Sequence, residues 1–439
     1  MENPVKGTHD IIGEEALLYT EIEERCKSIA AFFGYEEIRT PVLEYTPLFL
    51  RSVGESSDIV HKEMYTFEDK GGRSVTLRPE MTAGVMRSIV SNKLFVEADL
   101  PMKYFYVGPC FRYERPQAGR YRQFHQFGVE CVGAPSAYLD ADVINLGFHC
   151  FSALRIPVKV KINSLGDEES RNNYRTALKE YFAKYIDQMC PDCKRRYEIN
   201  PLRILDCKVP EDIEIVKGAP KLRDYLTDNA KNYLNQVIAI LQSFDIEVEV
   251  DDNLVRGLDY YTGIVFEYHA QPIEGLSEVG ALGGGGHYAH LLKDVGGPDY
   301  EGVGMSLGIE RLYHVFHHFN KELPSVFGID FYIMSMDEKY IGDCAVLLNQ
   351  LRYSGFMADM SFEKKSFKSQ FKTALKKKAK FAIIVGEDEW KNGEFTVKNL
   401  STEVQTKVRG EDVVGSLRTM LQEYYDTYEI NYLKEHANE

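Results

Sequence analysis

The stretch from Tyr104 to Cys131 constrains the fold more than any other part of the chain. It reads YFYVGPCFRYE, then RPQAGRYR, then QFHQFGVEC, so two runs rich in aromatic and β-branched residues flank a polar loop bearing Arg and Gly. That texture predicts an antiparallel hairpin with a long loop. Side chains alternate along a strand. Gln126, Gly128 and Glu130 therefore share one face, and His125, Phe127 and Val129 the other. With no bulge, Tyr106, Gly108, Cys110, Arg112 and Glu114 share a face of the first strand. One side of the hairpin thus carries a cation, carboxylates, an amide and glycines. A buried core face would not, because unpaired buried charge is costly. A solvated outer face is the common alternative. Glycine between Gln126 and Glu130 favours instead a surface with room for a ligand to lie on the sheet.

The 439 residues suffice for about two to four domains. An apolar content of 44% indicates ample core, and the formal charge of -15 argues against a protein basic throughout. Nucleic acid is still admitted, since one basic groove meets phosphates. No apolar run is long enough to span a bilayer. The opening MENPVKGTHD lacks a signal-peptide core, and the cysteines are scattered, so reduced thiols and the cytoplasm are expected.

Residues 14–33 read as an amphipathic helix with Leu18, Ile22, Ile29 and Phe33 inward and Gly34 as C-cap. YEEIRTPVLEYTPLF reads as an extended segment in which Pro41 and Pro47 forbid a central strand. Residues 63–67 and 74–78 form a short hairpin turning at 69–72, and Pro79 leads into a helix with Glu80 and Thr82 as ordinary caps. Residues 136–153 read as helix and 158–162 as strand. From about 168 to 244 a charged, helical texture marks an insertion. Within it, Cys190-Pro-Asp-Cys193 and a downstream Cys207 suggest zinc, but a structural site needs four ligands and no histidine is near, so ordinary thiols are expected, with metal the lesser reading.

In LVRGLDYYTG, Arg256 sits in an apolar, strand-like setting, where an arginine needs an anionic partner. Gly283–Gly286 implies a close backbone approach but lacks the spacing of a phosphate loop. Residues 302–319 read as strand, turn and helix. Arg311 in the first turn opposes the helix dipole, which points to another duty, such as holding a polyanion. Gly304-Met-Ser306-Leu-Gly308 matches a hydrolase nucleophile elbow, with Asp330 and His436 as forced partners, so an α/β-hydrolase stands as a remote alternative. After a linker at 320–325, strands alternate with helices and predict a compact α/β domain with a mostly parallel sheet. In its basic helix, Phe367, Phe371 and Leu375 are expected to face inward. Lys364, Lys368, Lys372 and Lys376 form an outer stripe, ordinarily a solvated face but a candidate RNA contact.

Together these segments resemble the histidyl-tRNA synthetases, a family of class II aminoacyl-tRNA synthetases, over essentially the whole chain. GYEEIRTPVLE is similar to motif 1, FRYERPQAGRYRQFHQFGVE to motif 2, and GVGMSLGIERL to motif 3. LVRGLDYYTG and GGGGHYAHL are similar to the two histidine-specific signatures, the second departing at His287, Ala289 and His290, where the family has Arg, Asp and Gly. The resemblance implies a class II α+β catalytic domain with an antiparallel sheet over 1–325, the helical insertion within it, and a C-terminal α/β anticodon-binding domain over 326–439. It implies a ligase that uses ATP with Mg²⁺ to convert L-histidine to histidyl-adenylate and then charges tRNA(His), working as a homodimer. It implies Arg112 and Arg256 at the α-phosphate, Arg311 at the γ-phosphate and Glu114 at the adenine. Glu80, Met81, Thr82, Gln126, Glu130, Tyr260 and Tyr261 are implied to bind histidine, and Arg115, Gln117 and Arg120 to meet the tRNA acceptor end. The rival within the fold is a catalytically silent paralogue that regulates histidine biosynthesis. Such paralogues lack the C-terminal domain and signature residues that this chain keeps. A bare RNA-binding module would not need phosphate arginines beside a carboxylate-lined pocket, and the HIGH and KMSKS sequences of class I synthetases are absent.

Overall fold

The computed structural model describes residues 2–54, 57, 59–116, 119–252, 254–271, 280–319 and 328–435, without the side chains of 206, 317 and 428–435. The chain divides into two compact units, Met1–Lys321 and Glu322–Glu439. The expected linker at 320–325 lies outside the described residues.

In the first unit the strands are β1 (Glu36–Glu37), β2 (Leu43–Tyr45), β3 (Tyr65–Glu68), β4 (Ser74–Leu77), β5 (Met102–Phe111), β6 (Gln123–Val132), β7 (Val158–Ser164), β8 (Val248–Val250), β9 (Ile264–Ala270), β10 (Ala281–Tyr288) and β11 (Gly302–Gly308). Eight of them form one sheet in the order β1-β5-β6-β11-β10-β9-β7-β8, and β2-β4-β3 form a small second sheet. The large sheet is antiparallel from β5 to β7 and parallel only at its two edges. The expected hairpin is β5–β6, in unbroken register with Tyr106 opposite Gly128 and Gly108 opposite Gln126. Arg112 continues the ladder by donating its N–H to the Arg122 carbonyl at 2.9 Å, whereas Glu114 lies in the loop.

Helix Glu14–Phe32 ends where Gly34, at φ 77°, lets the Tyr35 N–H reach the Ala30 carbonyl at 3.0 Å. Its buried stripe is Leu18, Tyr19, Ile22, Cys26 and Ala30, so Ile29 and Phe33 are only half-buried, contrary to the periodicity reading. The extended reading also overshoots. Residues 46–53 are a helix, because Pro47 sits in the first turn, where its missing N–H has no partner to lose. Between β7 and β8 the insertion packs helices Glu168–Phe182, Pro191–Ile199, Pro210–Lys217 and Asp228–Ser243, with a local core of Tyr174, Leu178, Phe182, Met189 and Ile204.

The second unit holds β12 (Phe331–Ser335), β13 (Ala358–Met360), β14 (Phe381–Val385), β15 (Glu394–Asn399) and β16 (Gln405–Arg409) in the order β13-β12-β14-β15-β16. β13, β12 and β14 are parallel, but β14–β15 and β15–β16 are antiparallel, so the sheet is mixed rather than mostly parallel. The basic helix Phe367–Lys376 buries Gln370 and Ala374, while Phe367 and Leu375 are exposed at 41% and 50%. Gln370 takes the inner position because its amide donates to the Ser335 carbonyl and accepts from the Ser335 N–H, pinning the helix to β12 by polar bonds that hydrophobic periodicity does not register. Lys368, Lys372 and Lys376 stand exposed as expected.

The glycine run is a packing requirement of the large sheet: a Cβ at Gly285 would overlap the Gly304 carbonyl oxygen of the neighbouring strand. Gly285→Ala is expected to destabilise the first unit by about 1–3 kcal/mol or more through overpacking. Gly342→Ala, whose Cβ meets open space, should stay within about 0.5 kcal/mol. Urea midpoints of the two variants make the comparison, and equal shifts would refute the packing argument.

Candidate active site

The polar face of β5–β6 forms the floor of a cleft of about 430 Å³ in the first unit. Glu130 is buried there, and three hydroxyls from three elements converge on it. Thr82 donates to Oε1 at 2.6 Å, Tyr106 to Oε1 at 3.0 Å and Tyr288 to Oε2 at 2.9 Å. Burial, with the Glu80 charge nearby, outweighs these donors and pushes the Glu130 carboxyl up to about 8. Glu80 precedes helix Thr82–Ser91 and accepts the Thr82 and Ala83 N–H groups at 2.7 and 2.9 Å, the capping geometry expected of it, while burial raises its pKa. A cationic ligand group placed against Glu130 would favour its ionised form.

The glycines of the floor do not leave room for a ligand, as the sequence suggested. A Cβ at Gly128 would strike the Tyr106 ring, one at Gly108 the Arg78 guanidinium, and one at Gly304 the Glu130 carboxylate. Protein side chains fill those spaces, and the cleft lies above them.

The walls are cationic. Arg112, Arg120, Arg256 and Arg311 line the cleft with Glu114 and Glu267. Arg112 donates Nε to the Pro79 carbonyl at 2.8 Å and rests over the Phe124 ring. Glu114 stands between Arg112 and Arg120, 3.8 Å from each. Arg256 is not in a strand: it occupies the loop before β9, pairs with Glu267 at 2.6 Å, and has a buried Nε with no hydrogen-bond partner among the described residues. Its loop is held from the insertion, where Arg203 donates to the Arg256 carbonyl at 3.1 Å and to Asp259 at 3.0 Å. Arg311 follows β11 directly, in the first turn of helix Ile309–Phe319, and donates to the Ala281 carbonyl. Burial, then the nearby Arg120 charge, lowers its pKa. Crowded guanidinium groups with an orphaned N–H favour a polyanion.

Of the sequence candidates, the cleft brings together Glu80, Thr82, Arg112, Glu114, Arg120, Gln126, Arg256, Tyr260, Tyr261 and Arg311, with Glu130 beneath them. Met81 is buried in the core against the helix rather than on the cleft wall, because it lies one residue before the helix start and points under the hairpin. Arg115 is exposed and outside the lining, and Gln117 lies outside the described residues. The sequence reading missed Tyr288, Glu267 and Glu310. Tyr288 shares strand parity with Gly284 and Gly286, whose missing Cβ atoms face Arg256 and Tyr261, and that parity was available. Glu310 had no such signal; it accepts the His125 N–H and ring Nδ1 at 2.9 Å, tying β6 to the helix that carries Arg311.

Ser306 lies inside β11, opposite Gly128 and Gly284, so no nucleophile elbow exists. Asp330 is committed to buried Lys380 at 2.7 Å, and His436 lies outside the described residues. The hydrolase alternative falls.

On the opposite face of β10, His287 occupies the position where the resemblance expects arginine. Its ring bonds Asp140 of helix Ala137–Ala153 at 3.1 Å and Glu301 at 2.8 Å. Burial alone would lower its pKa, but the two carboxylates push it up to about 9. An imidazolium thus supplies the positive charge at that position.

A histidyl-tRNA synthetase family model matches residues 7–312, and an anticodon binding domain model matches residues 330–420. The chain is 44% identical over 417 residues to a histidine–tRNA ligase of Geobacillus sp. (strain WCH70), covering 95% of this chain and 98% of that one. It is likewise 44% identical over 417 residues to a histidine–tRNA ligase of Bacillus subtilis (strain 168), covering 95% and 98%. The crystal structure of apo S. aureus histidyl-tRNA synthetase superposes with a TM-score of 0.80 at 36% identity, covering 95% of this chain and all of that one.

The stabilisation from His287 is fully present below an unfolded pKa of about 6.5 and is lost as pH rises through about 9. His287→Gln, which leaves buried Asp140 without its cation, is expected to cost about 3–5 kcal/mol at low pH. Urea unfolding across that interval should show the cost shrinking as pH rises; a cost independent of pH would refute the ionised pair.

Proposed function

The chain belongs to the histidyl-tRNA synthetase family, and on that premise we propose how its cleft activates L-histidine with ATP and passes it to tRNA(His). It is an aminoacyl-tRNA ligase. One observation carries the assignment of chemistry to residues: Arg112, Arg256 and Arg311 converge above a floor of Glu80 and Glu130 in a single cleft. A histidine carboxylate oxygen attacks the α-phosphorus of ATP in line, a C(O)–O–P bond forms and pyrophosphate leaves. A ribose hydroxyl of the tRNA terminal adenosine then attacks the acyl carbon, and AMP leaves. The first step needs positioning and neutralised charge more than proton transfer. Arg112 and the orphaned Nε of Arg256 flank the α-phosphate, and Arg311 holds the γ-phosphate. Glu114 meets the adenine.

The substrate ammonium lies toward Glu130 and the Thr82, Tyr106 and Tyr288 hydroxyls around it. Tyr260, Tyr261 and Gln126 close on the imidazole, and Glu80 holds the helix start in place. A site built of hydrogen bonds rejects amino acids that leave its groups unpaired, by up to about 10⁴–10⁵-fold. Mg²⁺ rests on one or two carboxylates plus phosphates. Glu267, half-buried on the cleft wall, fits that donor set and would hold it, where it would neutralise phosphate charge. Arg120, exposed at the cleft mouth, and Arg115 meet the acceptor end. The C-terminal domain, assigned to 326–439, grips the anticodon region, with Lys368, Lys372 and Lys376 as phosphate contacts. No helix among the described residues is long and apolar enough to cross a membrane, which agrees with a cytoplasmic protein.

We further propose a homodimer through the β2-β4-β3 sheet, where Leu43, Tyr45 and Phe67 are about half exposed and Tyr45 and Phe67 flank Val75 of the central strand on either side. Exposed apolar patches of this kind mark interfaces.

Histidine-dependent exchange of pyrophosphate into ATP, without tRNA, is the expected activity of the purified chain. No exchange with any amino acid would favour the silent regulatory paralogue. Arg256→Ala should lower exchange by about 10²–10³-fold while the dimer persists; unimpaired exchange would overturn its role. Removal of residues from Val326 onward should impair tRNA charging far more than exchange, and equal loss of both would refute that division of labour. Leu43→Glu with Tyr45→Glu should give a monomer by sedimentation, and an unchanged dimer would place the interface elsewhere.

A further inference from the structure

Three cysteines and one carboxylate converge in the helical insertion, away from the cleft. The ligating atoms of Cys190, Cys193, Cys207 and Asp212 all lie within 4.8 Å of one another. Cys190 Sγ is 3.9 Å from Cys207 Sγ, and Cys207 Sγ is 3.2 Å from Asp212 Oδ2. Bonds of about 2.3 Å to sulfur and 2.0–2.2 Å to oxygen set tetrahedral edges of about 3.8 and 3.5 Å, so the donors already stand close to coordination distance. The fourth donor, which the cysteine spacing does not reveal, is a carboxylate rather than a histidine.

Backbone N–H groups are aimed at two of the sulfurs. Cys190 caps helix Pro191–Ile199, and its sulfur accepts the Cys193 N–H at 3.4 Å. The Cys207 sulfur accepts the Val209 N–H at 3.5 Å. N–H groups aimed at sulfur are the outer-shell contacts that orient metal thiolates. Asp212 is 1% exposed, and among the described residues no cation pairs with it. A buried carboxylate against thiols calls for positive charge. A disulfide would join only two of the sulfurs and leave the third thiol and Asp212 uncompensated.

We propose that Cys190, Cys193, Cys207 and Asp212 bind one zinc ion in a closed, structural site. Its place in the fold gives it a consequence for the cleft. Cys207 directly follows the segment Pro201–Asp206, whose Arg203 holds Asp259 and the Arg256 carbonyl. The metal ties helices Pro191–Ile199 and Pro210–Lys217 to that segment, and so fixes the arm that presents Arg256.

The full-length chain, expressed with zinc and purified without chelators, is expected to carry about one zinc per chain by inductively coupled plasma mass spectrometry. Co²⁺ added to the zinc-stripped chain should give the intense visible bands of a tetrahedral thiolate site. Asp212→Asn should weaken Co²⁺ binding by about tenfold or more, since changes outside the ligand shell already reach that size, and Cys207→Ser should abolish the thiolate spectrum at that site. Zinc at background in the unmutated chain with no cobalt spectrum would overturn the proposal, whether or not the variants fold. A thiol count below the eight cysteines of the sequence, with Cys190 and Cys207 linked in the peptide map and no zinc, would also overturn it, in favour of a disulfide.

Discussion

The buried carboxylate of Glu130 is the interaction on which the rest of the catalytic unit depends. It sits on β6, and the hydroxyls that satisfy it come from helix Thr82–Ser91, from β5 and from β10. An acidic group this deep is tolerated only when its oxygens are bonded, so each of those elements must arrive in register. Gly304 must lack a side chain for the carboxylate to fit, and Gly128 must lack one for the Tyr106 ring to reach it. The same requirement makes the floor selective: a carboxyl pushed up to about 8 by burial gains from a cationic ligand group.

Around that floor the sheet distributes cations that no single element could gather. Arg112 leaves the end of β5, Arg311 follows β11 into a helix, and Arg256 comes from a loop held by the insertion. Their partners are partial: Glu114 is shared between two arginines, and one nitrogen of Arg256 has no partner among the described residues. Arg112, Arg120, Arg256 and Arg311 share the cleft lining with Glu80, Glu114, Glu267 and Glu310, and guanidinium groups held in place by carboxylates suit a reaction whose charge develops on phosphate oxygens. Behind the sheet, the His287 imidazolium between Asp140 and Glu301 ties β10 to helix Ala137–Ala153, so a histidine does there what a guanidinium would do.

Most of the secondary structure was legible in the chain. Strong alternation marked β5 and β6, and helical spacing marked helices such as Glu14–Phe32 and Ile309–Phe319. The failures were local and had causes. Pro47 was read as a breaker although the first turn of a helix accepts it. In the basic helix Phe371 packs against the core as expected, but Phe367 and Leu375 were assigned inward although Gln370 takes the inner position through its bonds to Ser335. Arg256 was placed in a strand because Leu254 and Val255 precede it, while the loop conformation is imposed by Arg203 from more than fifty residues away.

The sequence by itself determined the hairpin, the helical insertion and the singling out of Arg112, Arg256 and Arg311, because periodicity and charged residues in apolar company are local properties. It also determined the family, through residues whose spacing along each segment is distinctive. Only the tertiary structure decided that glycine spaces are filled by Tyr106, Arg78 and Glu130, that Glu267 answers Arg256, and that Asp212 completes the cysteine cluster. Those facts rest on side chains brought together from distant strands and helices. Strand order and loop closure set such contacts, and neither is written in the pattern of any one segment.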